Sequence, residues 1–511
     1  MNLKSIAFSL FTFVIFSIAS ITTVYANDQL AGLGGLLDKV KKQAEDKIKK
    51  TVEEATKTSS PQPTESSKDL PTSSTEEVNL KTLPVGGSAS PNSRYRYVSL
   101  FDSRSSNGKR ATTAEELVLA SRKKSGECDI EAGSEAMHAS CLAVNNKGNI
   151  AIYNKGNSEF RINDGKQNKV VSVSQIPAGR YFNFGTNGAR RKSGVFNDAD
   201  QIAYLSFKDV GSSLSAVDSI GYFDGASLKK IDFQGKLNLE RVNAIALSDK
   251  SLITLFSNRS ATSSLPLMDD YTDVYTVNSL GEIKSKFSVK SRSDLKIFIN
   301  DNGMTAFLGD SIPKTGISRV QGLAECLGKD VSGSWSLAGN DKVYFANRKE
   351  IYYCNGAIKQ VIAKEDELQD FSLMDRLSVA ASGAVGYVAL HNRKSEIYFW
   401  NGNNSRLVAD VNGSYKFFTN ILSASNSGVL FEAQLKKPRD SNYQSENGLF
   451  VGSDAVRDRV VGERDRLFDG MVAKYTPLKL TDTGQVVFIV TLVTPTSLAE
   501  TWTQIVRAEP L

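Results

Sequence analysis

A short motif that recurs along most of the chain constrains the fold more than any other feature. Each copy has a turn of Asn, Asp, Ser and Gly followed by a short apolar strand ending in an aromatic residue. Aligned on the last residue of the turn, the copies lie at positions 148, 200, 250, 303, 341, 383, 428 and 484. The gaps between them are 52, 50, 53, 38, 42, 45 and 56 residues. Gly and Asn accept positive φ at low cost, so the motif predicts a tight β-hairpin at each copy.

Most copies continue into a third strand and some into a fourth. Third strands end at turns in Ile220–Gly225, Ile351–Gly356 and Ile397–Gly402, and fourth strands follow at Ala357–Ile362 and Ser405–Ala409. Four antiparallel strands in about 40 to 55 residues, repeated about eight times, are typical of β-propeller blades. We therefore predict an all-β fold, with a β-propeller of seven or eight four-stranded blades over residues 94–511. Two β-sandwiches, the competing fold, would show no such self-similarity.

The two ends of the predicted propeller complement each other. The last copy of the motif stops after its third strand, Trp502–Arg507, close to the end of the sequence. A strand is also predicted near Tyr95–Leu100, before the first copy of the motif. We therefore expect this N-terminal strand to complete the last blade and to close the ring.

The repeat also resembles that of a known group of proteins. The hairpin pattern N-D-x-G-x-V-A-F, followed by I-Y-x-x-x-G, is similar to the blades of extracytoplasmic bacterial β-propellers of the TolB-like type. The resemblance covers residues 142–508 and is strongest at Asn300–Leu308 and Asn426–Phe431. It implies a propeller fold and an exported location, and it carries over no catalytic residue.

Residues 1–26 have the pattern of a secretory signal peptide. One positive charge in Met1–Lys4 precedes the apolar run Ile6–Ile21, and small residues near Ala26 provide a cleavage site. An uncleaved anchor is the alternative, but the apolar run is shorter than the roughly 20 residues that a spanning helix needs. We predict cleavage, no transmembrane anchor, and an exported protein, periplasmic or extracellular.

Residues 27–57 predict an amphipathic helix, and residues 58–93 predict a disordered Ser/Thr/Pro linker. Apolar residues recur at steps of three and four in the helix: Leu30, Leu33, Leu37, Val40, Ala44, Ile48, Val52 and Ala55. The polar faces mix Lys with Glu and Asp, which weakens binding to membranes. Residues 29–57 are therefore a candidate for contact with a partner helix, or simply a solvated arm.

The charge balance argues against a nucleic-acid partner. The chain has 62 Lys and Arg against 56 Asp and Glu, a net charge of +6, without the basic stripe of nucleic-acid-binding domains. Arg190, Arg191 and Lys192 form a local basic cluster and are weak candidates for anion binding. The predicted partner is a protein or a cell-envelope glycan.

The four cysteines suit an exported protein. Cys128 with Cys141 and Cys326 with Cys354 is the simplest of three connectivities for two structural disulfides. Zinc is the alternative, but the sequence has no C-x-x-C and no nearby histidine pair. We therefore expect no metal and no cofactor.

The sequence offers little for catalysis. His138 and His391 are its two histidines, and no G-x-S-x-G motif accompanies them. The best group of carboxylates is Asp269, Asp270 and Asp273, in a long insertion between strands; such pairs could hydrolyse glycosides, although a solvated acidic loop is the simpler interpretation.

These features favour a non-enzymatic propeller that binds a protein or glycan through its loops or acts as a scaffold. The alternative is a propeller enzyme, a glycoside hydrolase or lyase acting on polysaccharide. Carboxylates and an aromatic residue converging in the central channel would favour the enzyme. Phe399 and Trp400, which alternate along a strand, are expected to lie in the core between blades.

Overall fold

The computed structural model of the 511-residue chain describes residues 94–104, 142–154, 158–176, 194–207, 217–233, 235–239, 242–259, 271–290, 296–300, 302–303, 305–308, 326, 334–347, 349–365, 371–436, 447–494 and 501–511. These residues form 31 β-strands and essentially no helix. The predicted signal peptide, helix and linker of residues 1–93 lie outside the described residues. Within the described residues, no helix is long and apolar enough to span a membrane.

The first strand of the chain, β1 (Tyr95–Asp102), belongs to the last sheet. Blade 1 contains β2 (Leu142–Val144), β3 (Ile150–Asn154), β4 (Glu159–Asn163) and β5 (Asn168–Ser172). Blade 2 contains β6 (Gly194–Phe196), β7 (Ile202–Phe207), β8 (Val217–Phe223) and β9 (Leu228–Ile231). Blade 3 contains β10 (Val242–Leu247), β11 (Ile253–Arg259), β12 (Tyr271–Val277) and β13 (Ile283–Lys290). A two-stranded sheet follows, with β14 (Lys296–Ile299) and β15 (Thr305–Leu308).

Four more blades complete the fold. Blade 4 contains β16 (Ser334–Leu337), β17 (Val343–Ala346), β18 (Glu350–Asn355) and β19 (Ile358–Lys364). Blade 5 contains β20 (Phe371–Val379), β21 (Val385–His391), β22 (Lys394–Trp400) and β23 (Ser405–Asp410). Blade 6 contains β24 (Tyr415–Ala424), β25 (Val429–Leu435), β26 (Asn447–Phe450) and β27 (Arg459–Gly462). The closing blade contains β28 (Arg466–Leu467), β29 (Gly470–Leu480), β30 (Val486–Val493), β31 (Thr501–Pro510) and β1.

The architecture confirms the predicted all-β propeller with seven four-stranded blades, the closing one carrying β28 as an additional strand. Strands within each blade are antiparallel and follow the order of the chain, except for β1. The first strands of successive blades contact one another, as β6 does with β10 and β20 with β24, so they lie innermost. The fourth copy of the motif corresponds to the two-stranded sheet β14–β15 within the described residues.

The N-terminal strand closes the ring, as the sequence predicts. β1 pairs antiparallel with β31, placing Tyr95 opposite Pro510 and Asp102 opposite Gln504, with one irregularity between Ser99 and Phe101. The closing blade therefore combines the first described strand with the last.

The repeated turns share one geometry that the motif specifies. In the first copy the amide of Gly148 donates to the carbonyl of Asn145, and Gly148 has a positive φ of 75°. This is a type I turn followed by a left-handed residue, a common three-residue hairpin loop. Aligning the third copy on position 250 was wrong: Ser251, with φ 58°, is the left-handed residue there. The turn before β25 also differs, because the Ser425 amide bonds the Gly428 carbonyl and Gly428 lacks a positive φ.

The core lies between the blades. Phe399 packs with Phe431 and Phe450 across blades 5 and 6, and Trp400 packs with Tyr344 across blades 4 and 5. The predicted placement of Phe399 and Trp400 between blades is therefore confirmed. Each fully buried large side chain stabilises the fold by about 1.5–3 kcal/mol, so the blades depend on one another.

The antiparallel blades give the propeller two different faces. Turns between first and second strands, and between third and fourth, lie at one face, which we call the turn face. Connections from second to third strands, and from one blade to the next, leave from the opposite face, the loop face. Turn-face connections have two to five residues, apart from the eight of residues 451–458 in blade 6, whereas loop-face connections between second and third strands include residues 208–216, 260–270, 436–446 and 494–500.

Candidate functional site

Hydrogen bonds between neighbouring turns tie the turn face together. The Asn145 side-chain amide donates to the Asn197 carbonyl (3.0 Å), and the Asn197 amide donates to the Ser248 carbonyl (2.9 Å). Asn300 makes the same bond to Ala338 (2.8 Å). Each of these three asparagines is buried. The asparagines that the turns require therefore also join one blade to the next, and their polar groups are already used within the protein.

The loop face instead presents polar side chains at the junction between blade 6 and the closing blade, which we call the polar seam. At its inner side the hydroxyl of Tyr475 on β29 donates to Glu432 on β25 (2.9 Å), and Thr419 on β24 donates to the second Glu432 oxygen (2.9 Å). Burial, followed by the nearby Glu432 carboxylate, raises the pKa of Tyr475 well above its ordinary value. This hydroxyl therefore stays protonated and acts as a donor.

A buried ion pair fixes the blade 6 side of the polar seam. The Arg459 guanidinium donates to both oxygens of Asp465, at 2.9 and 2.7 Å, and the Gly462 amide also donates to this carboxylate. The side chains of Arg459 and Asp465 are only 9% and 11% exposed. Burying two charges is tolerated only with such complete pairing, so this part of the seam is a rigid wall.

The closing blade supplies a second group of polar residues, which we call the closing-blade cluster: Asp102, Arg104, Asp469, Trp502 and Gln504. Trp502 and Gln504 are two positions apart on β31, so both lie on one face of the sheet. Trp502 belongs to the hydrophobic cluster that also contains Leu449 and Val461 of blade 6. The cluster therefore lies along the polar seam, at the loop-face end of β31.

Arg104 spans the closing-blade cluster. Its guanidinium donates to Asp102 (2.7 Å) and to Asp469 (2.6 Å), and lies 4.2 Å from the centroid of the Trp502 ring. Burial opposes its charge, but the bonds to the two carboxylates raise the pKa of Arg104 overall. Gln504, opposite Asp102 in the strand register, donates its side-chain amide to the same Asp102 carboxylate (2.8 Å). The cluster is thus one connected network across the edge of the blade.

Two buried atoms of this network lack a hydrogen-bond partner within the structure. They are the indole Nε1 of Trp502 and the side-chain oxygen Oε1 of Gln504, in residues that are 6% and 2% exposed. Such atoms are rare in folded proteins, because each unpaired group costs about 1–3 kcal/mol. One is a donor and the other an acceptor, so together they suit a group that can both accept and donate.

Gly470 determines where the Trp502 ring lies. A side-chain carbon added to Gly470 would lie 2.7 Å from Cζ2 and 2.8 Å from Cη2 of the indole. Gly470 has no positive φ, so it is required for space and not for backbone conformation. The indole therefore packs directly on the backbone at the start of β29.

Of the three carboxylates that the sequence singled out, the structure describes one, Asp273. Asp273 is buried at the start of β12, where its carboxylate accepts from Ser288 (2.5 Å) and Tyr275 (3.4 Å) of blade 3. Asp269 and Asp270 lie outside the described residues, as do the basic residues Arg190, Arg191 and Lys192.

The remaining candidates are partly described. Cys326 and Cys354 form a disulfide, with 5.9 Å between their Cα atoms, whereas Cys128, Cys141 and His138 lie outside the described residues. His391 is half-exposed at the end of β21, with Nδ1 3.5 Å from a Glu396 carboxylate oxygen. The described ranges contain no group of three His, Cys, Asp or Glu side chains that could hold a metal ion.

Sequence reasoning missed the closing-blade cluster because its members are scattered. Asp102 and Arg104 come from the start of the propeller, Asp469 from the connection before β29, and Trp502 and Gln504 from the last strand. The available signal was the pairing of the two chain ends: a strand predicted to lie beside Trp502–Arg507 brings its own polar residues to that edge. Trp502 is also one of only three tryptophans.

Comparisons with known proteins find only distant structural likeness. No protein-family model matches the chain, and no curated protein matches its sequence. The acylaminoacyl peptidase of Pyrococcus horikoshii is 11% identical with a TM-score of 0.31, over 71% of this chain and 59% of that one. A PL25 ulvan lyase bound to a GlcA–Rha3S glycan is 9% identical with a TM-score of 0.29, over 75% and 95%.

A third solved structure, an ancestral GH74 enzyme, is 9% identical with a TM-score of 0.26, over 74% of this chain and 48% of that one. The chain covers less than two thirds of the peptidase and of the GH74 enzyme. These values carry no argument about substrate or activity. The resemblance to TolB-like propellers in particular stays a prediction.

Proposed function

We propose that this protein is an exported binding or scaffold propeller that takes its protein or glycan partner at the loop face. The contrast between the two faces carries the proposal. On the turn face, short turns use their polar groups on one another, as Asn145, Asn197 and Asn300 do. On the loop face, the closing-blade cluster holds a buried donor, Trp502 Nε1, and a buried acceptor, Gln504 Oε1, that have no partner within the structure.

Position on a rigid scaffold supports this choice of face. Binding residues are commonly placed on long loops held by a rigid framework. The closed ring and the buried Arg459–Asp465 pair supply that framework beneath the seam. The propeller can therefore carry loop-face connections of different lengths without losing stability.

Export rests on two independent features. Residues 1–26 have the pattern of a signal peptide, and Cys326 is bonded to Cys354, a linkage typical of oxidising compartments. We place the protein in the periplasm or outside the cell.

The enzymatic alternative has no observation in its favour among the described residues. Of its proposed carboxylates, Asp273 is engaged with Ser288 and Tyr275 inside blade 3. A polysaccharide hydrolase or lyase therefore remains the second hypothesis, and docking of residues 29–57 on a partner helix remains a separate one.

Photo-crosslinking in cells tests the proposed face. A photoreactive phenylalanine analogue replaces Lys394 or Asp469 at the loop face, or Lys147 or Lys250 at the turn face; all four side chains are exposed or half-exposed. We expect discrete higher-mass adducts from the loop-face positions and none from the turn-face positions. Adducts from the turn face alone would overturn the proposal. Repeating the experiment on protein that lacks residues 29–57 tests whether this segment contributes to partner binding. Unchanged adducts would show that it does not.

A further inference from the structure

We propose that the closing-blade cluster is a subsite for one neutral or amino sugar unit of a glycan. The inference rests on the proposed function, because it assigns a ligand class to one part of the loop face. It starts from the two buried atoms without a partner, Trp502 Nε1 and Gln504 Oε1.

The chemistry of these atoms selects the ligand group. The indole N–H can only donate, and the Gln504 oxygen can only accept. A hydroxyl group does both, so a sugar hydroxyl, or two neighbouring hydroxyls, can satisfy Trp502 and Gln504 together. The alternation of β31 keeps both side chains on the same face, with their Cα atoms roughly 7 Å apart. A carboxylate or a phosphate would satisfy only the indole.

Exposure rises from these buried atoms towards the surface. Gln504 and Trp502 are 2% and 6% exposed, the Arg104 side chain is 17% exposed, and the Asp469 side chain is 53% exposed. Arg104, whose guanidinium lies over the indole ring and donates to Asp469, therefore links the buried part of the cluster to the surface. Asp469 at the opening presents a carboxylate to which sugar hydroxyls, or a sugar ammonium group, can donate.

The net charge of the cluster further restricts the class of sugar that can bind. Asp102 and Asp469 carry two negative charges against the single positive charge of Arg104, which leaves the cluster at −1. A uronate or a sulfated sugar would meet like charge in a partly buried site, which disfavours it. A neutral sugar is accepted, and a protonated amino sugar is favoured.

Titration calorimetry on the signal-processed chain tests the ligand class with three probes of equal length. They are chitohexaose, which is neutral, the glucosamine hexamer, which is cationic, and hexagalacturonate, which is anionic. We expect the first two to bind and hexagalacturonate to bind at least tenfold more weakly. Binding of hexagalacturonate alone, or of none of the three probes, would overturn the sugar subsite.

The substitution Trp502→Phe separates a binding role from a structural one. It removes an N–H that has no partner in the structure but also reduces the volume packed in the core, so the two effects on Tm oppose each other and we expect a small change in Tm, with about threefold to tenfold weaker binding of the sugar. Trp400→Phe, in the core between blades 4 and 5, is the matched control and should keep the affinity. Equal affinity of wild-type and Trp502→Phe protein would mean that a bound water alone satisfies these atoms, and would contradict the subsite.

A second variant covers the case in which the indole is needed for folding. Asp469→Asn changes a half-exposed side chain and removes one negative charge, so we expect the discrimination against hexagalacturonate to shrink. Unchanged discrimination would contradict the charge argument. If the oligosaccharides fail but loop-face crosslinks persist, the subsite is wrong and the proposed function stands; if crosslinks fail as well, both are wrong.

Discussion

Tyr95 lies directly opposite Pro510 in the antiparallel pairing of β1 with β31. The outermost strand of the closing blade therefore comes from the start of the propeller, and the other strands come from its end. This pairing holds the ring shut without a covalent bond, and it also carries Asp102 and Arg104 to the loop-face edge beside Trp502 and Gln504. Closure and the candidate subsite thus depend on the same strand.

Deletion of residues 94–101 should unfold the propeller. It removes most of β1, exposes the edge of β31, and takes away the buried residues Tyr95, Tyr97 and Leu100. Circular dichroism and thermal melting should show loss of the cooperative transition. A deletion of residues 27–80, which leaves β1 intact, is the control and should keep the Tm. A cooperative transition at the original Tm after deletion of 94–101 would disprove closure by this strand.

Asn197→Ala should destabilise the turn face. The buried Asn197 side chain accepts from the amides of Ala199 and Gln201 and donates to the Ser248 carbonyl of the next blade. Its loss should lower the free energy of unfolding by about 2–4 kcal/mol. Asn401→Ala is the matched control in urea unfolding, because its exposed side chain bonds only within its own turn. Equal losses for the two variants would show that the bond between blades contributes nothing.

Gly470→Ala should displace the Trp502 indole. The added carbon would lie 2.7 Å from Cζ2, so the ring must move, at a cost of about 1–3 kcal/mol. Tryptophan fluorescence should shift to the red as the ring leaves its buried position. At Gly413 nothing lies within 4 Å of the added carbon and φ is not positive, so Gly413→Ala should change neither property. An unshifted spectrum for Gly470→Ala would contradict the packing described for the cluster.

Buried tyrosines should make the protein sensitive to alkali. Burial raises the pKa of Tyr344 to about 12, against an ordinary value of 10.0, and also raises the pKa of Tyr204 and Tyr415. A raised folded-state pKa gives stability that is complete below pH 10 and is lost as the pH rises further. Each such tyrosine should lower the free energy of unfolding by about 1.4 kcal/mol per pH unit above pH 10.

Urea unfolding between pH 9 and 12, with tyrosinate absorbance as the second signal, measures this loss. Tyr344→Phe removes one titrating hydroxyl. The free energy of unfolding should then fall less steeply with pH above pH 10, by about the contribution of one tyrosine. A free energy of unfolding that is flat to pH 12 would show that these hydroxyls are not buried in solution.

The fold could be predicted because its determinants are local. The turn residues and the strand that follows are adjacent in sequence, so Gly148 and Gly484 predict the hairpins in which they lie. The third copy was misaligned by one residue because Ser251 adopts a left-handed conformation that serine does not signal. The closing strand could be predicted because the last copy of the motif lacked a fourth strand and an additional strand preceded the first copy.

The candidate site could not be predicted in the same way. Arg104 meets Asp469 and Trp502 only because the ring closes, so no spacing along the chain connects them. The acidic residues selected from the sequence lie close together along the chain. In the structure, however, the Asp273 carboxylate accepts a hydrogen bond from Ser288 of its own blade. Proximity in sequence identified the turns, whereas the site depends on contacts between distant segments.

Hydrogen exchange with chitohexaose at saturation tests the central claim, that the partner binds at the loop face and not at the turn face. We predict slower exchange of backbone amides in residues 462–471 and 501–504, which surround the closing-blade cluster, and unchanged exchange in the turns at 145–149 and 197–201. Slower exchange confined to those turns, with residues 501–504 unaffected, would contradict the account.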